Sequence, residues 1–351
     1  MWQDMTLISL EPETLESALP VPEEIHQEIP LSLMHASFVK STRDAIEAIL
    51  NGWDKRLLLI AGPCSVHDPV SAIEYGRRLS KLADHVSDRF LVVMRTYIEK
   101  PRSILGWKGM LYDPAIDGSY QLAKGIRLTR QLLAGLADMR IPTGCELLEI
   151  NTAHYYTDLL SWGCVGARTS SSPLHRQMAS SLNLPMGFKN STEGNIDTAI
   201  HGVLSAESPH VYMGLSLSGQ MVRVQSEGNP LCHVVLRGSL QGPNYDSQAV
   251  QMAIQKCRQA QICSKVMIDC SHDNCGKNPE QQERVFLSVV QQILEGNTHI
   301  AGIMLESHLN SGSQEISFPL RYGVSITDPC MDWKTTERLV LQAHSLLSAL
   351  K

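Results

Sequence analysis

The sequence predicts a single (β/α)8 barrel, the TIM-barrel class of α/β folds, with an N-terminal extension and one inserted β-hairpin. Short apolar segments of strand length alternate with amphipathic segments of helix length, a pattern typical of βα units around a parallel sheet. Eight such apolar segments follow one another along the 351 residues. Eight parallel units that close on themselves are the number a barrel of this class requires.

The eight predicted strands are the apolar segments bounded by turn residues or by charged residues. They cover residues 57–61, 90–94, 143–147, 164–167, 186–188, 233–236, 265–268 and 300–305. Helix-length segments separate most of them, so the strands are expected to be parallel and buried on both faces.

The extension is predicted to cover residues 1–40, which are rich in Glu and Pro. This composition favours an arm of extended chain or short helices outside the core, suited to packing on a partner subunit. Residues 41–351 are predicted to form the barrel domain. It begins with a helix from Ser41 that ends at Asn51-Gly52, because a glycine after the last apolar residue is a typical helix C-cap.

One segment departs from the βα alternation. Residues 211–225 contain two runs of strand-forming residues on either side of Ser218-Gly219-Gln220. This pattern predicts a β-hairpin inserted between the fifth helix and the sixth strand.

Composition limits the function classes. The formal net charge is -6 and the apolar content is 43%, which suits a globular enzyme and argues against a nucleic-acid or membrane-surface binder. No apolar stretch approaches the ~20 residues of a membrane span. Nine cysteines without repeated spacing indicate reduced thiols rather than a disulfide framework. A cytoplasmic location is therefore expected.

Cations collect at the predicted strand ends, where barrels of this class build their active sites. In an acidic protein, such a cluster is expected to bind anions, and arginine and lysine are the usual ligands of phosphate and carboxylate groups. The number of cations exceeds the need of one phosphate, which favours two phosphates, or two phosphates and a carboxylate. The residues are Arg95, Lys100, Arg102, Arg168, Lys189 and Arg237.

Four potential metal ligands lie far apart in sequence: Cys64, His272, Glu306 and Asp328. Their spacing alone is weak support. However, the first, seventh and eighth strands become neighbours when the barrel closes, so three of the four are expected to meet. A thiolate, an imidazole and two carboxylates suit Mn, Fe, Co or Zn better than Mg or Ca. One divalent metal ion is therefore expected.

In combination, the motifs resemble those of the 3-deoxy-D-arabino-heptulosonate 7-phosphate (DAHP) synthases, in the subtype whose bacterial members are inhibited by aromatic amino acids. The resemblance covers about residues 57–333. Its motifs are Gly62-Pro63-Cys64-Ser65-Val66-His67-Asp68, Met94-Arg95-Thr96-Tyr97, Lys100-Pro101-Arg102, Gly106-Trp107-Lys108-Gly109, Gly166-Ala167-Arg168-Thr169, Gly187-Phe188-Lys189-Asn190, Leu236-Arg237-Gly238, Ser271-His272 and Ser325-Ile326-Thr327-Asp328.

The resemblance implies condensation of phosphoenolpyruvate with erythrose 4-phosphate and water, giving DAHP and phosphate at the start of the shikimate pathway. It implies that phosphoenolpyruvate is held by Arg95, Lys100, Gly166, Ala167, Arg168, Lys189 and Arg237. The aldose phosphate would meet Pro101, Arg102 and Ser103, and the metal would be held by Cys64, His272, Glu306 and Asp328, the last also near substrate.

For this reaction, Lys100 is expected to donate a proton to the new alkoxide, and Glu146 is expected to orient the water molecule. Cys64 and His272 would act through the metal. A homodimer or homotetramer is expected. Ser103 stands where the family commonly has threonine, which keeps the hydroxyl.

The feedback regulation of the protein and the reaction it catalyses each have an alternative interpretation. Ala153, Asn183 and Gly214 depart from the family's effector pocket, which predicts weakened or altered feedback inhibition. A related enzyme that uses arabinose 5-phosphate to make an octulosonate 8-phosphate is the nearest rival. A non-catalytic sensor of metal or phosphosugar on the same fold is the rival from another class.

Overall fold

The computed structural model describes residues 17–102 and 104–349, and they form the expected closed barrel. Eight parallel strands pair in the order β1-β10-β9-β8-β5-β4-β3-β2, and β6 pairs with β7 alone. The strands are β1 (Leu57–Gly62), β2 (Phe90–Arg95), β3 (Thr143–Glu146), β4 (Trp162–Val165), β5 (Met186–Lys189), β6 (His210–Leu215), β7 (Met221–Ser226), β8 (Cys232–Leu236), β9 (Val266–Asp269) and β10 (Ile300–Glu306). Every predicted barrel strand is present, with ends that differ by two residues or fewer.

Helices follow most barrel strands and shield them from solvent. Together with two helices that precede β1, the helices are α1 (Pro22–Glu28), α2 (Leu33–Leu50), α3 (Pro69–His85), α4 (Leu122–Asp138), α5 (Pro173–Ser181), α6 (Asp197–Glu207), α7 (Ser247–Gln259), α8 (Pro279–Leu294) and α9 (Trp333–Ser348). After β3, two short 3-10 turns replace the helix. Local sequence sets the start of α3: Pro69 is its first residue, and the Asp68 carboxylate accepts hydrogen bonds from the Val70 and Ser71 amides of its first turn.

The helix predicted from Ser41 begins eight residues earlier, at Leu33, so that prediction was wrong at its start. The Ser32 hydroxyl accepts a hydrogen bond from the His35 amide and caps the helix. Ile25 and Val39 are buried, so part of the segment expected to lie outside the core contributes to it. The helix ends at Asn51-Gly52 as predicted, with Gly52 at a φ of 75°.

The C-terminal end of α2 closes the bottom of the barrel. Ile46, Ile49 and Leu50 belong to the same buried cluster as barrel-interior side chains, among them Trp162 and Met267. Because this end is filled by apolar side chains, access to the barrel interior is left to the opposite face, where the strands end.

The inserted hairpin is present between α6 and β8. Its two strands are antiparallel, with Tyr212 opposite Val224. Gly219 adopts a φ of 77° in the connecting turn, a conformation that favours glycine. The Tyr212 hydroxyl donates to the Ser181 hydroxyl at 2.8 Å, which ties the hairpin to the end of α5.

Residues 307–332, after β10, fold back over the mouth of the barrel. Backbone bridges join Ser307 to Met331 and Gly312 to Cys330. This closure returns Asp328 to the strand ends, 22 residues after the last residue of β10. No helix in the described part of the chain is long and apolar enough to cross a membrane.

Candidate active site

A polar cleft of about 310 Å³ opens at the ends of the barrel strands. Most residues singled out from the sequence line it, whereas Cys64, Gly166 and Glu306 are buried and do not. Ser103 falls outside the described residues. The lining consists of Arg95, Tyr97, Lys100, Pro101, Arg102, Ile104, Leu105, Glu146, Ala167, Arg168, Lys189, Arg237, His272, Lys277 and Asp328.

Three of the four proposed metal ligands converge at one side of the cleft. The ligand atoms of Cys64, Glu306 and Asp328 all lie within 4.8 Å of one another. The pairing of β1 with β10 produces this contact, since Gly62 lies opposite Glu306 and Cys64 follows two residues later. Burial and the neighbouring Glu306 raise the pKa of the Cys64 thiol to about 11. A cation is therefore needed to hold this thiol as a thiolate at neutral pH.

His272, the fourth proposed ligand, stands beside this group. Its Nε2 lies 3.6 Å from Oε1 of Glu306, and its Nδ1 lies 2.9 Å from Oδ2 of Asp269. A carboxylate behind the imidazole is the usual means of orienting a metal-binding histidine. The donor set of one sulfur, one imidazole and two carboxylates thus fits a divalent transition metal or zinc.

Lys100 projects into the same group of ligands. Its Nζ lies 2.8 Å from Cys64 Sγ and 3.1 Å from Asp328 Oδ2. Burial acts to lower the pKa of Lys100, but Cys64, Asp328 and Glu306 outweigh burial and hold it above its usual value. The side chain is therefore an ammonium group at neutral pH.

Arg95 is buried between Glu306, one of the proposed metal ligands, and an aromatic ring. Its guanidinium contacts Glu306 at 2.8 Å and lies 3.4 Å from the centroid of the Tyr97 ring. Lys189 Nζ lies 5.3 Å from the same centroid. Tyr97 thus supports two cations by cation–π contact. Sequence reasoning did not assign it, because an aromatic residue at a strand end is most often core packing.

Glu146 forms an ion pair with Lys189, and the two residues end β3 and β5. Oε2 of Glu146 lies 2.9 Å from Lys189 Nζ, which is also 3.6 Å from Asp269. Burial acts to raise the pKa of Glu146, yet Lys189 prevails and lowers it to about 2. A Cβ atom on Gly166 would lie 2.4 Å from Oε1 of Glu146. A side chain at this position would therefore displace the Glu146 carboxylate.

The loop after β2 carries Pro101 and Arg102 to the cleft. Arg102 Nε donates to the Trp107 carbonyl at 2.8 Å, and the Trp107 indole donates to the Asp113 carbonyl at 2.8 Å. Trp107 is buried, as expected of a packing anchor. Lys277 also lines the cleft, 4.0 Å from Asp328, and was not assigned from the sequence.

The three residues from which altered feedback inhibition was predicted do not line the cleft. Ala153 is buried in the first 3-10 turn after β3, and Gly214 is in β6 of the hairpin. The Asn183 carbonyl accepts a hydrogen bond from Arg43 of α2, which also binds the Leu160 carbonyl. Through Arg43, helix α2 thus contacts both the segment of Asn183 and the segment that runs from Ala153 to Leu160.

Comparison with known proteins agrees with the motifs. The family model described as the DAHP synthetase I family matches residues 28–341. The Tyr-sensitive phospho-2-dehydro-3-deoxyheptonate aldolase of Salmonella typhimurium is 43% identical over 338 residues, 95% of each chain. The Trp-sensitive aldolase of Escherichia coli is 44% identical over 325 residues, 92% of this chain and 93% of the other.

A solved structure extends the agreement to three dimensions. The phospho-2-dehydro-3-deoxyheptonate aldolase of Francisella tularensis is 39% identical, with a TM-score of 0.94, and the match covers 96% of this chain and 99% of that one. Both the fold and the family expected from the sequence are confirmed: the protein belongs to the DAHP synthetase I family.

Proposed function

We propose that the protein condenses phosphoenolpyruvate with erythrose 4-phosphate and water to give DAHP and inorganic phosphate. The observation that carries this proposal is one cleft lined by seven cations beside a buried group of metal ligands. Two phosphates and a carboxylate account for that concentration of positive charge. The relatives named as phospho-2-dehydro-3-deoxyheptonate aldolases support the same reaction.

The metal would be held by Cys64, His272, Glu306 and Asp328. When bound there, a divalent cation would supply Lewis-acid polarisation of the aldehyde. The fit rests on three converging ligand atoms with an oriented imidazole beside them. We propose Mn, Fe, Co or Zn on the chemistry of the donor set.

Substrate binding is proposed for the two sides of the cleft. Arg95, Lys189, Arg168 and Arg237, with the backbone around Gly166 and Ala167, would hold phosphoenolpyruvate. Pro101 and Arg102, with Ser103, would hold the aldose phosphate. Because most of these side chains are pinned before substrate arrives, little conformational entropy is lost on binding.

We propose Lys100 as the proton donor. Its ammonium group lies beside the proposed metal ligands Cys64 and Asp328, near which the aldehyde oxygen would bind. A charged lysine is the form that donates a proton to a developing alkoxide. Glu146, with a pKa near 2, stays ionised. It is therefore suited to orienting the attacking water by hydrogen bonding rather than to removing its proton at neutral pH.

The test compares two aldoses. Consumption of phosphoenolpyruvate is followed with erythrose 4-phosphate and with arabinose 5-phosphate, before and after chelation. We expect turnover with erythrose 4-phosphate that chelation abolishes. Preference for arabinose 5-phosphate would support the octulosonate 8-phosphate reaction, and binding without turnover of either sugar would support a sensor.

Altered feedback inhibition is a separate proposal. Asn183 and Gly214 place a larger side chain and no side chain where the family commonly has serine, and Ala153 adds a third departure. We expect Phe, Tyr and Trp to inhibit weakly, because an effector pocket with changed shape and hydrogen-bonding groups loses affinity. Initial rates with each amino acid decide this, and strong inhibition by any one contradicts it.

We also propose that the chain works as a homodimer or homotetramer in the cytoplasm. The hairpin exposes Val211, Met213 and Met221, a group of apolar side chains suited to a subunit contact. All nine cysteines are free, which fits a reducing compartment. Sedimentation with hairpin variants such as Met213→Glu tests the assembly, and an unchanged mass would exclude the hairpin from it.

A further inference from the structure

Arg237, one of the proposed phosphate ligands, contacts a carboxylate outside the metal group. Its Nη1 donates to Oδ2 of Asp273, in the 3-10 turn that follows β9. The exposed fraction of the side chain is 6% for Arg237 and 15% for Asp273. Because the pair is largely shielded from water, its charges interact more strongly than those of a surface ion pair.

The backbone fixes Asp273 in this position. A Cβ atom on Gly238 would lie 2.6 Å from the Asp273 carbonyl carbon and 2.4 Å from the Asn274 amide nitrogen. The Asn274 side chain donates to the carbonyls of Leu236 and Asp269. The turn is therefore tied to both β8 and β9, and Asp273 is held against the arginine by main-chain packing.

Asp273 differs from the other carboxylates around the cleft. Glu306 and Asp328 belong to the proposed metal ligands, and Glu146 lies against Lys189. Among the ion pairs of residues 17–102 and 104–349, Asp273 takes part in one, that with Arg237. Its direct ion pair is therefore with a single proposed phosphate ligand.

Arg237 retains capacity for an anion. The residue lines the cleft, and the bond from Nη1 to Asp273 uses one of the five N–H donors of the guanidinium. The Asn190 side chain accepts a hydrogen bond from the Arg237 amide at 2.9 Å and so holds the residue in place. A phosphate at Arg237 would share the guanidinium with Asp273 and be repelled by its carboxylate.

We propose that Asp273 sets the affinity of the phosphate subsite at Arg237, as a fixed carboxylate that competes with the phosphate group of the substrate and of the released product. This inference rests on the proposed function. Cations alone would bind inorganic phosphate tightly and delay its release. A built-in competing anion weakens that binding while leaving the arginine in position.

Asp273→Asn removes the charge and keeps the shape. Isothermal titration with inorganic phosphate, without aldose, measures the subsite directly, and steady-state kinetics give the KM for phosphoenolpyruvate. We expect the dissociation constant for phosphate and the KM for phosphoenolpyruvate each to fall by about three- to tenfold. This is the effect of removing one nearby charge from a partly shielded site. The KM for erythrose 4-phosphate should not change, because Pro101 and Arg102 follow β2, which lies opposite β8 and Arg237 in the eight-stranded ring.

Asp197→Asn is the control for loss of a paired carboxylate, since Asp197 pairs with Lys256 in a more exposed contact away from the cleft. It should change neither the dissociation constant for phosphate nor the KM for phosphoenolpyruvate. Metal content is measured in parallel because Asp273 adjoins His272. Asp273→Ala serves as the second variant if the asparagine form does not fold.

Unchanged or weaker phosphate binding in a folded, metal-loaded variant overturns the inference, since Asp273 would then only position Arg237. This failure is distinct from failure of the proposed function. Wild-type protein that binds phosphate but turns over neither aldose refutes the function, whereas an active enzyme with unchanged constants in Asp273→Asn refutes the role of Asp273.

Discussion

The ammonium nitrogen of Lys100 lies 2.8 Å from the sulfur of Cys64, although the two residues reach the cleft from different strands. The same nitrogen lies 3.1 Å from Asp328. One lysine therefore contacts two of the four proposed metal ligands, and substrate bound at the metal would lie beside a charged proton donor.

Replacing Lys100 by Met should reduce turnover by about 10²- to 10⁴-fold, the usual contribution of a positioned acid. The metal should remain bound, because none of its proposed ligands is removed. Steady-state kinetics and metal analysis check both parts. Lys108→Met, in the same loop but on an exposed lysine, is the control and should be close to wild type; a nearly normal rate for Lys100→Met would remove the lysine from this role.

Chelation should abolish turnover and lower the melting temperature. A ligand that binds only the folded state stabilises it by mass action, and the buried group at Cys64 and Glu306 is assembled only on folding. Adding back Mn, Fe, Co or Zn separately should restore both properties to different extents. Cys64→Ala should lose metal binding, whereas Cys263→Ala, at a partly buried thiol on another part of the barrel, should retain it. Full activity after complete metal removal would contradict the proposed site.

Glu99 should hold the substrate loop in place. It precedes Lys100, is buried, and accepts hydrogen bonds from Thr152, Tyr156 and the Glu149 amide at 2.7, 2.8 and 3.2 Å. Burial raises the pKa of Glu99 to about 7.

Glu99→Gln replaces an acceptor oxygen with an amide that cannot satisfy three donors, and we expect it to cost about 1–3 kcal/mol of stability. Turnover should fall because Lys100 is displaced. Denaturation and kinetics measure the two effects. Glu149→Gln, in the partner segment, is the control; equal behaviour of the two variants would show that Glu99 has no special role.

Stability should depend on pH through His233 in the barrel interior. The Trp162 indole donates to His233 Nε2 at 3.2 Å, and the other ring nitrogen contacts the Leu231 carbonyl at 3.2 Å. This arrangement requires the neutral ring. Burial lowers the pKa of His233 to about 4, against 6.5 in an unfolded chain.

Between pH 6.5 and 4 the unfolded chain binds more protons than the folded one at this site, so stability falls as the pH falls. The loss from His233 is about 3 kcal/mol at pH 4 and changes little below that. His233→Gln keeps an acceptor for Trp162, and its unfolding free energy should vary less with pH. His201→Gln, on an exposed histidine of α6, should vary as wild type does. Equal pH dependence in all three proteins would rule out His233 as the cause.

Local patterns in the sequence determined the barrel. Apolar runs bounded by charged residues specify strands and their ends, and the rule that parallel strands close in order brought the segments of Cys64, His272 and Glu306 together. Motif resemblance identified the family. These inferences succeeded because strand burial and βα connectivity are repeated, short-range properties that leave a signal in each segment.

The tertiary structure decided which side chains meet. The contact of Arg237 with Asp273 spans 36 residues, and Tyr97 acquires its role from cations on two strands. The start of α2, and its function as the barrel plug, depended on a serine cap and on burial against distant strands. Such contacts have no local sequence signal, because whether a polar or aromatic side chain packs, pairs or stays solvated is set by neighbours that only folding supplies.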